Sequence, residues 1–245
     1  MSGIRWSEAL ASIPSNAEAV DLSWSLEVGG PVFPGQPGFE FEQLGRVSDE
    51  EIPLCYARIA FMEHVGTHMD APSHAIEDGR FVDEIPFPDL VGPALKLDLR
   101  EACDDLADYQ VGVPELEAFE RRHGHIPAGA VVLLQTGWEA RYPTPERYVV
   151  ADEGGGFHWP GVGAAAAQML AERGVRGVGI DSIGLDAGHV ALELDAHRAV
   201  LGSDAFILEN LTRLDEVPPT GSVLLAAPIK TRFGSGGPTR VFALR

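Results

Sequence analysis

The chain has 245 residues, of which 45% are hydrophobic and 22% charged, enough to bury a core, and one domain spanning 1–245 is expected. Its formal net charge of −19 would repel a phosphate backbone or an anionic bilayer, which argues against nucleic acid and membrane as partners. No run approaches the roughly eighteen apolar residues of a membrane span, residues 1–8 lack the layout of a signal peptide, and a cytoplasmic location is expected.

Eighteen prolines and 28 glycines predict many short elements and tight turns. A short strand is predicted at 19–23. Three prolines and four glycines make 29–38 a loop. Residues 56–62 read as a strand leading into a histidine-rich segment. The period-two alternation of 94–99 predicts a half-buried strand. A helix follows at 113–123, with Pro114 in its first turn and Gly124 as its stop. Residues 131–135 read as a buried strand. An alanine-rich helix at 163–173 is stopped by Gly174, and a strand follows at 175–180. A short helix at 196–201 leads into a strand at 205–209, and late strands are predicted at 223–226 and 241–244. Strands outnumber helices, and hairpins mix with βα steps. That pattern predicts an α/β or α+β domain, a mixed sheet or small barrel surrounded by helices. Only two cysteines occur, Cys55 and Cys103. They cannot form a disulfide framework and read as partly buried thiols.

The chemistry concentrates in His64-Val65-Gly66-Thr67-His68-Met69-Asp70-Ala71-Pro72-Ser73-His74. The three histidines and Asp70 sit at even offsets, which a strand would place on one face. An extended strand separates His64 from His68 by roughly 13 Å at about 3.3 Å per residue, too far to share one ion. A helix would bring them close, yet Gly66 and Pro72 do not suit a helix interior. The segment is therefore expected to bend at Gly66 and to leave the sheet before Pro72. Imidazoles with a carboxylate and no thiolate suit Zn²⁺, Mn²⁺ or Fe²⁺. His64, His68 and Asp70 are the expected ligands, and His74 is then free to act as general base.

His-x-Gly-Thr-His-x-Asp-Ala-Pro-x-His resembles the signature of the cyclase-like metal-dependent hydrolases. That family includes bacterial kynurenine formamidases, isatin hydrolases and polyketide cyclases. Looser similarity extends over nearly the whole chain, through Asp21-Leu22-Ser23, Thr136-Gly137-Trp138, Gly179-Ile180-Asp181, Leu194-Asp195-Ala196-His197 and the segment 234–243. The resemblance implies a swivelling β/β/α fold, usually dimeric or tetrameric, with partner residues reaching the pocket. It implies that His64, His68 and Asp70 are ligands and that His74 is the acid/base. His197 and Glu209 match positions that complete a second metal site in two-zinc formamidases, whereas isatin hydrolases hold one manganese. Glu209 also continues the parity of Ala205 and Ile207, and a carboxylate so placed is costly unless paired or metal-bound.

Phe33, Trp138, His158 and Trp159 are candidate walls for a ring-shaped substrate, although Trp138 reads equally as core and His158 as loop packing. His123 and His125, after a helix end, read as surface. Residues 234–237 lack the Lys-Ser/Thr of a phosphate loop and read as a turn. With no Gly-x-Ser-x-Gly elbow, a serine hydrolase is disfavoured. The expected activity is hydrolysis of a C–N bond in an aryl formamide or cyclic amide, using one or two Zn²⁺ or Mn²⁺ ions in a homodimer or homotetramer. Two alternatives are a metal-dependent polyketide cyclase or lactone-acting enzyme, and a catalytically silent binding protein on the same fold.

Overall fold

A computed structural model describes residues 17–103 and 106–245. The opening residues 1–8 lie outside them. Ten strands matter here: β1 (Ala19–Asp21), β2 (Glu40–Gly45), β3 (Tyr56–Ala60), β4 (His68–Asp70), β5 (Val91–Asp98), β6 (Val131–Gln135), β7 (Gly177–Ile180), β8 (Phe206–Glu209), β9 (Ser222–Pro228) and β10 (Gly236–Leu244). Among the described residues five helices accompany them: α1 (Arg100–Cys103), α2 (Val113–His123), α3 (Pro145–Tyr148), α4 (Ala164–Glu172) and α5 (Asp195–Gly202).

Seven strands close a mixed barrel in the order β10-β9-β5-β6-β7-β8-β4, with β4 pairing back onto β10. The run β5-β6-β7-β8 is parallel, in the registers Ala94↔Val131, Gly177↔Val131 and Gly177↔Phe206. The remaining pairs are antiparallel. β10 is long enough to serve two partners along one edge: Gly236 opposes Asp70 of β4, and Leu244 opposes Ala19 of β1.

The strands are apolar on both faces because each face meets a core. Val131, Leu133, Phe206, Leu208, Leu224 and Val241 turn into the barrel. Val132, Leu134, Val178, Ile180 and Ile207 turn outward, onto Leu116 and Phe119 of α2, Ala166 and Leu170 of α4, and Val200 of α5. Burying one such side chain contributes about 1.5–3 kcal/mol. The stretch 94–99 departs from expectation here. It is buried on both sides except at Asp98, because Lys96 folds its ammonium onto Gln135 Oε1 at 3.2 Å inside the barrel. Helix α2 has the expected bounds. The Glu115 carboxylate accepts from Gly112 N–H at 2.9 Å at its start, and Gly124 at φ +95 ends it.

Two other expectations change. Gly236 and Gly237 are strand residues paired with Asp70 and Met69, not a turn. Cys103 is buried, with burial raising its thiol to about 12, whereas Cys55 is exposed. The expected strand at 56–62 forms, but as one arm of a hairpin with β2 whose pairing (Phe41↔Ile59) is separate from the barrel. Phe41, Leu44, Leu54, Tyr56 and Ile59 on this hairpin are all exposed.

Candidate metal centre

The histidine segment bends where the distance argument requires. Gly66 adopts φ +58, a left-handed conformation that strains most side chains, and a Cβ there would press on Leu26 Cδ2 at 2.4 Å, so glycine suits the bend. Only His68–Asp70 pair as a strand. Pro72–His74 then form a 3₁₀ turn with proline in its first turn, where its missing N–H costs nothing. The bend sets His64 edge-on to His68 at 5.3 Å and brings His74 to 3.9 Å from His64, ring centre to ring centre.

Residues from three parts of the chain meet at Asp70. Its Oδ1 lies 2.6 Å from His64 Nδ1 and 3.3 Å from His68 Nε2. Its Oδ2 lies 3.6 Å from His197 Nε2. Glu209, at the end of β8, places Oε2 at 3.4 Å from His68 Nε2 and Oε1 at 3.2 Å from His197 Nε2. Register explains the approach, since Glu209 opposes His68 across the β8–β4 pair. Its parity with Ile207 turns it to the helix-covered face, under α5.

The close packing of β10 completes this wall. A Cβ on Gly236 would lie 2.4 Å from Met69 O and 2.7 Å from His64 Cε1, so the His64 ring stacks where only glycine leaves room. His64 Nε2 meets Ser235 Oγ at 3.0 Å, and that hydroxyl donates to Glu63 at 2.7 Å.

His197 is oriented by a residue that sequence reasoning missed. Helix α5 is preceded at its N-cap position by Leu194, which has φ +57 and no side chain able to cap. Asp186 caps it from a distance, accepting from Ala196 N–H at 2.8 Å and His197 N–H at 3.1 Å. The same carboxylate meets His197 Nδ1 at 2.5 Å, leaving Nε2 to face Asp70 and Glu209. A carboxylate behind an imidazole fixes its tautomer and strengthens it as a ligand. Nothing local in Ile183-Gly184-Leu185-Asp186 signals this role, because it exists only once the loop folds over α5.

The electrostatics are those of charges held together out of water. Burial would lower His68, yet Asp70 and Glu209 outweigh it and raise it to about 10. Burial would raise Asp70, yet the surrounding imidazoles hold it well below the usual carboxylate range. Glu209 is likewise lowered against its burial, by His197 and His68. His74 differs: burial holds it below 6.5, the base form at neutral pH.

The donor set fits a divalent cation. Two groups of three have ligand atoms within 4.8 Å of one another: His64, Asp70 and His74; and His68, Asp70 and Glu209. Asp70 Oδ2 is buried with no hydrogen-bond donor, an acceptor suited to a cation. No Lys or Arg lines the site among the described residues. His64, His68, Asp70, His74 and Glu209 make up these two groups, and His197 Nε2 faces Asp70 and Glu209 beside them.

A cavity of about 260 Å³ opens over them, walled by Phe33, Trp159, Ile183, Ala191, Leu192 and Leu194. The expected walls Phe33 and Trp159 are present, edge to face at 5.8 Å. Trp138 and His158 are not. Trp138 is buried in a satellite core, donating Nε1–H to Tyr148 O. His158 is held outward by Asp108 and Asp152 at 2.9 and 3.3 Å. A more open cleft of about 670 Å³ beside β5 and α2 contains none of the site residues.

Comparison with known proteins agrees with this arrangement. The family model described as "Putative cyclase" matches residues 20–187. The chain belongs to the cyclase family. It is 30% identical to an isatin hydrolase of Roseibium aggregatum, over 95% of this chain and 93% of that one. It is 31% identical to a kynurenine formamidase of Erythrobacter litoralis, over 93% and 94%. Among solved structures, isatin hydrolase A from Labrenzia aggregata bound to benzyl benzoate superposes with a TM-score of 0.87 at 33% identity, covering 97% of this chain and 98% of that one. An isatin hydrolase bound to the product analogue thioisatinate gives 0.89 at 29%, covering 99% of each. This cyclase-family chain thus shares its barrel with hydrolases over nearly its full length.

Proposed function

We propose that this chain hydrolyses a C–N bond in an aryl formamide or a cyclic amide of the N-formylkynurenine or isatin kind, using one or two zinc or manganese ions. The observation that carries the reading is the clustering of His64, His68, His197 and Glu209 around the Asp70 carboxylate, whose Oδ2 is buried without a donor, beneath an aromatic-walled cavity. The substrate class is drawn from the relatives, which are named isatin hydrolase and kynurenine formamidase.

When bound, the divalent cation supplies Lewis-acid polarisation and acidification of water. The chain supplies the rest. Phe33 and Trp159 offer apolar faces to a planar ring. His68 and His197 are buried, with their Nδ1 atoms engaged by Gly66 O and Asp186. Their Nε2 atoms are therefore directed at the ligand carboxylates. His74 carries the proton: its neutral ring accepts one from the attacking water and returns it to the leaving nitrogen as the C–N bond breaks. General acid–base transfer of this kind contributes about 10²–10⁴-fold.

Metal analysis of purified protein, with assays on N-formylkynurenine and isatin, tests the reading. His74→Ala is expected to keep its metal and lose about 10²–10⁴-fold in kcat. Unchanged turnover in that variant removes His74 from the mechanism. Failure of both substrates in a metal-loaded protein shifts the assignment to ring closure on a polyketide-like substrate, or to a catalytically silent binding role.

The active form is proposed to be a homodimer or homotetramer. Its support is the β2–β3 hairpin, where Phe41 and Ile59 face each other across the strands and are 53% and 52% exposed. Side chains of this size exposed in a contiguous group mark an interaction surface.

A further inference from the structure

Behind His68 lies a chain of buried polar groups that no ligand assignment explains. His68 Nδ1 and Asn210 Nδ2 both lie 2.9 Å from the Gly66 carbonyl oxygen. A carbonyl oxygen only accepts and has two lone pairs, so both nitrogens donate to it. That settles the Asn210 amide, whose Oδ1 must face the other way. There it meets the Tyr148 hydroxyl at 2.9 Å, whose single proton is shared between Asn210 Oδ1 and the Asp181 carbonyl oxygen, also at 2.9 Å. Asn210 and Tyr148 are 3% and 0% exposed, so a wrong amide orientation would strand buried polar groups without partners, at about 1–3 kcal/mol each.

The backbone of Asn210 ties the Gly66 bend to the residues just after β7. Its N–H donates to Ser182 O at 2.9 Å, and its carbonyl accepts from Thr67 Oγ1 at 2.7 Å. It adopts φ +56, a left-handed conformation that asparagine tolerates better than most residues. The position that ends the Glu209 strand thereby grips the bend that carries His68.

We propose that Asn210 is a positioning residue for the metal centre, locking the Gly66 carbonyl and, through it, the His68 ring so that Nε2 faces Asp70 and Glu209, with Tyr148 fixing the amide. Were the His68 proton to move to Nε2, the Nδ1 lone pair would face the carbonyl oxygen at 2.9 Å, a repulsive contact. The Asn210 amide pins that oxygen in place. The inference rests on the metal-centre reading above.

The test is metal affinity of folded, metal-stripped protein, measured for Zn²⁺ and Mn²⁺ by competition with a chromophoric chelator, beside the melting temperature of the metal-free form. Asn210→Asp, which can accept from Tyr148 but cannot donate to Gly66, and Asn210→Ser are expected to bind about 10–100-fold more weakly. Tyr148→Phe keeps the Gly66 contact and loses the hydroxyl's bonds to Asn210 and to the Asp181 carbonyl, so a smaller, several-fold loss is expected. A purely structural role would lower the metal-free melting temperature and leave the affinity of the folded protein unchanged, and that result in either Asn210 variant overturns the proposal. Should neither Asn210 variant fold, wild-type affinity in Tyr148→Phe overturns it equally. A wild-type chain that takes up neither ion would sink the metal centre itself, and this inference with it; weakened variants cannot be confused with that outcome.

Discussion

The barrel end and the β2–β3 hairpin place residues where each is least at ease, in opposite chemical senses. The barrel end buries carboxylates: Asp70 is 0% and Glu209 5% exposed. The hairpin exposes apolar side chains, with Leu54 at 62% and Phe41 at 53%. Carboxylates taken out of water demand a cation or protonated imidazoles. Apolar side chains left in water demand a covering surface. One chain thus carries two kinds of binding requirement on one scaffold, and each is readable from the sign of its mismatch. The helix layer supplies the contrast. There Glu120 is matched inside the chain by the Arg173 guanidinium at 2.9 and 3.0 Å, and nothing further is called for.

Asp70→Asn attacks the first half of this comparison and should have the largest effect. It keeps the shape and removes the charge that His64, His68 and His197 share. Lewis-acid stabilisation worth several kcal/mol corresponds to a fall of about 10³-fold or more in kcat/KM, with metal content lost in parallel. A variant retaining metal and activity would show that the buried carboxylate serves packing alone.

Leu134→Ala and a Phe41→Asp, Ile59→Asp pair separate scaffold from surface. Leu134 is fully buried between β6 and the helices, so its truncation should cost about 2–5 kcal/mol in chemical denaturation. The hairpin pair, exposed and off the barrel, should cost the isolated chain about 0.5 kcal/mol or less. It should nevertheless lower the mass measured by light scattering to that of one chain. Unchanged mass would mean that the hairpin is not the assembly surface.

The smallest effect sharpens the contrast with Glu120. The Arg173 hydrogen bonds lower this carboxyl from 4.5 to about 2. A carboxyl lowered on folding stabilises fully above its unfolded value and loses that contribution as pH falls from about 4.5 toward 2. Wild type should therefore exceed Glu120→Gln in denaturation midpoint near neutrality, and the gap should close across that window. A gap that persists at pH 2 would rule out ionisation of Glu120 as its source.

Much of the fold was legible because the parallel strands are apolar runs of the right length and their helices have clear starts and stops. Val113–His123 has its proline and its glycine, and Val131–Gln135 is continuous hydrophobic sequence. The hairpin partner β2 was not legible, since Glu40–Gly45 carries charge and its apolar positions face water. Trp138 and His158 were candidates for the pocket because an aromatic or imidazole ring reads the same in a wall, a core or a loop. Their neighbours, Tyr148 for one and Asp108 with Asp152 for the other, decide the matter.

The sequence by itself determined that the segment from His64 to His74 could not stay extended, because the spacing of an extended strand and the length of a metal–ligand bond are incompatible unless Gly66 bends. It also determined which residue types would meet there. The tertiary structure decided the rest: that Glu209 comes to His68 through the pairing of β8 with β4, that Asp186 caps the helix of His197 from a distance, and that Asn210 holds the bend from behind. Each of these is a contact between residues well separated in the chain. Spacing along the sequence carries no information about such contacts until strand register and loop closure bring the partners together.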